Sequence, residues 1–86
     1  MHTLAIMEIY NMKSFTKYLK LLADYAGQID EGTATGNGFI DCQHMEADII
    51  EDYKRDRLEQ YEYRALMGVY HLVKDNFREL MHMRGE

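Results

Sequence analysis

The chain has 86 residues, a formal net charge of -5, one cysteine, and neither proline nor tryptophan. That length holds one domain with a thin core, and a lone cysteine excludes an internal disulfide. The acidic balance argues against direct DNA binding, whose affinity rests on neutralising phosphates with Lys and Arg. No apolar run is long enough to span a bilayer, and no basic segment followed by an apolar one opens the sequence. With an unpaired thiol, the expectation is a cytoplasmic protein without membrane association.

The first apolar segment is rich in helix formers and reads as a short helix over residues 3–12. Its stripe of Ile6, Ile9 and Tyr10 is out of phase with the stripe that begins at Phe15, and Asn11 and Ser14 mark the break. From Phe15 the apolar residues are Phe15, Tyr18, Leu19, Leu22, Tyr25, Ala26 and Ile29, in steps of three and four. This spacing predicts an amphipathic helix over 14–28, with Ser14 as its N-cap and Gly27 near its C-terminal end.

Gly27, Gly32, Gly36 and Gly38 then crowd one stretch, which predicts a Gly-rich loop over 29–41. Beyond it, Asp41 can cap a last helix over 42–83. No proline interrupts that helix, and Gly68 is its one weak residue. Its C-terminal half keeps the seam Tyr63, Leu66, Tyr70, Val73, Phe77, Leu80. The same register run backwards meets Glu59, Asp56 and Asp52 before the apolar Ile49, Met45 and Cys42. The predicted fold is therefore all-α: an antiparallel helical hairpin with a short N-terminal helix and one very long C-terminal helix.

Such a last helix would run ~60 Å and outreach its neighbours. Its far end would then expose apolar side chains unless the helix bends back. A patch of that size on a monomer is unusual. The expectation is a homo-oligomeric bundle sealed by Tyr70, Val73, Phe77, Leu80 and Met81.

Four constellations bear on chemistry. The loop of residues 33–44, Thr-Ala-Thr-Gly-Asn-Gly-Phe-Ile-Asp-Cys-Gln-His, has helices on both sides and resembles a calmodulin-type EF-hand loop. Asn37, Gly38 and Ile40 match that family's fifth, sixth and eighth positions. Thr33 and Thr35 stand where it has Asp ligands, and His44 where it has the bidentate Glu. Calcium affinity depends on those carboxylates, so the stretch reads as a connector. His71, Asp75 and His82 share one helical line and suit a transition metal completed by a second subunit, although Arg78 on that line opposes a cation. No metal or cofactor is assigned.

The acids Asp48, Asp52, Asp56 and Glu59 form a third line, read as a polar segment that sets register in the assembly. Lys13, Lys17 and Lys20 form the fourth, with Tyr10 just upstream, and are the expected ligand or partner contacts. No Ser/His/Asp arrangement exists, since Ser14 is the only serine, and no enzyme is expected. Seven tyrosines suit surfaces that are half dry and half wet.

The functional expectation is a non-enzymatic protein that binds another protein, as a small inhibitor or regulator encoded by a bacterial virus or mobile element does. One alternative is an oligomer that sequesters an anionic nucleotide-like ligand on Tyr10 and the lysine line. A second is a metal-binding helical oligomer.

Overall fold

A computed structural model describes residues 13–85. The helix expected over residues 3–12, and Tyr10 with it, lies outside the described residues. The described residues form three helices: α1 (Ser14–Glu31), α2 (Gly36–Lys54) and α3 (Gln60–Met83). The described residues contain no strand.

α1 presents Tyr18 and Leu22 to the core, with Phe15, Tyr25 and Ile29 packed beside them. The helix runs past Gly27 and ends at Gly32, whose φ of 75° is the left-handed conformation that glycine adopts without a Cβ clash. The Gly32 amide donates to the Ile29 carbonyl and the Thr33 amide to that of Gln28, closing the helix end. Only residues 32–35 then separate α1 from α2.

The long Gly-rich loop expected over 29–41 therefore shrinks to these four residues. Thr35 Oγ1 accepts from the Gly38 amide at 3.0 Å and caps α2, a role expected of Asp41. Gly38 has a packing reason to be glycine: a Cβ there would lie 3.3 Å from Thr35 Oγ1 and 3.4 Å from Phe77 Cζ. The first turn of α2 thus seats on the Phe77 ring. Arg84, just past α3, locks the same corner by donating to the carbonyls of Gly32 and Ala34, both at 2.6 Å.

The single last helix expected over 42–83 is broken. α2 stops at Lys54 and α3, of 24 residues, starts at Gln60. Neither Gly nor Pro makes the break. Asp56 takes a φ of 60°, and the Asp56 and Arg57 amides donate to the carbonyls of Tyr53 and Asp52. That is a Schellman closure with aspartate in the left-handed place. Glu59 then opens α3 with a capping box: its side chain accepts an amide of the first turn, while its own amide donates to Glu62 Oε1 at 2.9 Å.

Energetics explain why the helix turns back. A left-handed non-glycine residue costs ~1–2 kcal/mol. Burying one Leu, Val, Phe or Met side chain returns ~1.5–3 kcal/mol. The reversal buries Leu58, Leu66, Tyr70, Val73, Phe77 and Met81 against Tyr18, Leu22, Cys42, Met45 and Ile49. The break wins by a wide margin.

It also corrects the expected subunit interface. Tyr70, Val73, Phe77 and Met81 are buried within this one chain, and Leu80 is half-buried against them. The surplus apolar surface that called for an oligomer at those five residues is consumed internally. α2 runs back along α1, with Tyr18 near the start of one beside Asp52 near the end of the other. α3 reverses again, so that Phe39 stacks on Phe77 and the Tyr70 hydroxyl donates to the Gln43 carbonyl.

Candidate functional site

Sequence placed four acids on one line, and the fold takes them apart. Asp52 is buried; its Oδ2 accepts from the Tyr18 hydroxyl at 2.8 Å and its Oδ1 from Arg57 Nη1 at 3.2 Å. Asp56 forms the turn, Glu59 caps α3, and Asp48 is exposed. Burial pushes the Asp52 carboxyl up, but the hydrogen bonds from Tyr18 and Arg57, with the Ser14 hydroxyl and the charge of Lys17 nearby, more than offset it and leave it lowered. Burial, followed by Asp52 itself, raises the Tyr18 hydroxyl well above the usual tyrosine range. The cluster ties α1 to the α2–α3 turn. It is a bolt between elements, with its acceptor and donors already matched.

The lysine line does not gather around one vacant cleft. Lys17 lines a depression with Asp48, Glu51 and Asp52, and its amine lies 4.6 Å from the Tyr18 ring centroid. Lys13 lines the neighbouring one with Arg57, Asp56, Glu59 and Glu62. Lys20 is exposed and lines neither of these two depressions. An anion approaching Lys17 meets three carboxylates. The geometry therefore lends nothing to a phosphate seat on these amines.

Nor do the described residues hold a metal constellation: no group of three or more His, Cys, Asp and Glu is placed to bind one. His71 faces Glu46 at 3.9 Å and Asp75 faces Arg78 at 3.8 Å, so the expected His71–Asp75–His82 line is broken up by other partners. Residues 36–44 are helical, which removes the chelating loop that the EF-hand resemblance implied.

What the structure does leave unused is the outer face of α3. Tyr61, Leu72 and Met83 are 72%, 63% and 76% exposed. They succeed one another at intervals of eleven residues, three helical turns, so they stand on one line. Ala65 and Gly68 lie on it between Tyr61 and Leu72, and both are exposed. The line is opposite the buried edge of Leu66, Tyr70, Val73 and Phe77.

Three-four spacing does not find this line, because it picks out the buried seam instead. The eleven-residue interval was the available signal. A Cβ at Gly68 would meet nothing within 4 Å. Gly68→Ala is accordingly expected to raise stability by about 1 kcal/mol, the ordinary mid-helix difference. Urea denaturation of the dilute chain checks this, and a loss of stability that does not depend on protein concentration would show that the site is closed within the chain.

Among the described residues, no helix is long and apolar enough to cross a membrane. No protein-family model, curated protein or solved structure matches the chain.

Proposed function

We propose that this is a non-enzymatic protein-binding protein, which docks a protein partner on the outer face of α3. The observation that carries this reading is the line Tyr61–Leu72–Met83: three large side chains exposed on one rigid helix, away from the chain's own core. Aromatic and Met side chains are enriched at interfaces, and Ala65 and Gly68 between them let a partner backbone come close. The chain's thiol is no competing signal for chemistry. Cys42 is fully buried, and that burial raises its pKa, which keeps it a protonated core residue.

The test is a photo-crosslinking residue at Asn76, beside the line, in the full chain exposed to lysate of its source cells. Leu72→Arg and Lys17→Glu serve as comparisons. Protein adducts should form, fall about thirtyfold with Leu72→Arg, as for a central contact worth ~2 kcal/mol, and persist with Lys17→Glu. Adducts indifferent to Leu72→Arg, or none at all, would refute the reading.

A further inference from the structure

The outer line of α3 has a symmetry that points to one particular partner. We infer that its occupant is a second copy of this chain, whose α3 lies antiparallel across Leu72. This rests on the binding reading above and names its partner.

Leu72 lies at the middle of α3, eleven residues from Tyr61 and eleven from Met83. A two-fold axis through Leu72 sets each residue opposite the one equally far on its other side. Leu72 then meets the partner's Leu72, and Tyr61 meets the partner's Met83, a thioether against an aromatic ring. Gly68 comes opposite the partner's Asn76, so the missing side chain of one copy makes room for the amide of the other. Every position in this set is exposed within a single chain. A closed two-fold interface requires such a self-complementary patch.

Charge fits the same register. Arg64 and Glu79 are exposed on α3, and among the described residues neither makes an ion pair within the chain. Arg64 is adjacent to Ala65, and Ala65 falls opposite the partner's Glu79. Glu79 stands on the line, five turns from Tyr61, and Arg64 stands on the flank beside it, which the two-fold axis keeps together with the same flank of the partner. The pair therefore forms twice. The like charges stay far apart: Arg64 lies ~24 Å along the axis from the partner's Arg64, and Glu79 ~21 Å from the partner's Glu79. A parallel arrangement would instead leave Arg64 level with the partner's Arg64 and ~22 Å along the axis from its Glu79, so this pairing of opposite charges selects the antiparallel one.

The experiment uses the full chain, with light scattering for mass and engineered cysteines for register. The wild-type chain at about 100 µM should run at twice its 10.2 kDa monomer mass. Leu72→Arg should return it to monomer with an unchanged helical circular-dichroism spectrum. Under mild oxidant, Leu72→Cys should cross-link to itself and Tyr61→Cys alone should not. A mixture of Tyr61→Cys and Met83→Cys should cross-link, while the wild-type chain, whose Cys42 is buried, controls for background. Arg64→Glu and Glu79→Arg should each weaken the dimer about tenfold, and the double exchange should restore it.

A wild-type monomer overturns the inference, as does a dimer in which Tyr61→Cys cross-links to itself or Leu72→Cys does not. If the chain is monomeric yet captures another protein through Leu72, the second copy is refuted and the binding reading stands. If it does neither, both are refuted.

Discussion

Phe77→Ala is expected to leave the chain at the edge of unfolding. Phe77 is fully buried where all three helices meet. Its ring stacks on Phe39 with centroids 5.2 Å apart, tilts against Tyr25 at 6.1 Å, and supports the first turn of α2 at Gly38. Truncating a buried phenylalanine costs ~3–5 kcal/mol, because the transfer energy is lost and the cavity closes only in part. At ~0.05–0.15 kcal/mol per residue, a chain of this length has about 4–13 kcal/mol in total. Leu72→Ala, on the exposed face, should stay within about 0.5 kcal/mol of wild type when both are measured too dilute to associate.

Urea denaturation in a Leu72→Arg background separates the two places Phe77 could act. A residue sealing a subunit interface would give a loss that depends on protein concentration. A residue inside one chain gives the same loss at every concentration, which is the expected result. A Phe77→Ala midpoint close to that of its parent would show that the three-helix junction is not where the stability resides.

The position of Phe77 also shows how far the sequence could be read. Three-four spacing identified Tyr18 and Leu22 on α1 and Leu66, Tyr70, Val73 and Phe77 on α3, and all six are buried. Amphipathic periodicity is a local property, and it was legible. It does not report which element covers an apolar face. The same Tyr70–Phe77 seam serves an oligomer or a folded-back monomer, depending on whether the chain turns between Lys54 and Gln60.

That turn was hidden for a physical reason. Helix ends are sought at Gly and Pro, and this one uses Asp56 in the left-handed conformation. The clue was present in the charges: an apolar seam interrupted by Asp52, Asp56 and Glu59, then Glu62 three residues after Glu59, the spacing of a capping box. Glycine misled in the other direction. Gly36 and Gly38 read as loop but sit in the first turn of α2, where Gly38 yields space to Phe77. The lysine line was legible as an exposed face. Its carboxylate neighbours come from α2, the turn after it and α3, which no local pattern on α1 can reveal.

Acid should expose the weight of Asp52 in this fold. Its carboxyl is buried, which alone would raise its pKa, but the hydrogen bonds from Tyr18 and Arg57, the nearby Ser14 hydroxyl and the charge of Lys17 leave it lowered. A group whose folded pKa is depressed stabilises the native state at pH values above its unfolded pKa. That contribution is lost as pH falls through the folded value, so the sensitive window lies below about pH 4. Tyr18 works in the opposite direction. Its pKa is raised, so its contribution is complete below about pH 10 and is lost only as pH climbs through the folded value.

Asp52→Ala removes the acceptor from a hydroxyl on a buried ring, leaving Tyr18 unsatisfied at a cost of ~1–3 kcal/mol near neutral pH. Little is added by Arg57, whose side chain is 56% exposed and can turn to water. Tyr18→Phe should cost less, since Asp52 keeps Arg57 as a donor. The discriminating variant is Asp52→Asn, which preserves shape and some hydrogen bonding but cannot titrate. Urea midpoints measured from neutrality down to about pH 2 should fall more steeply for wild type than for Asp52→Asn, the two curves converging at the acid end. Parallel curves would mean that Asp52 carries no special share of the acid sensitivity, and that the bolt between α1 and the α2–α3 turn is held by packing alone.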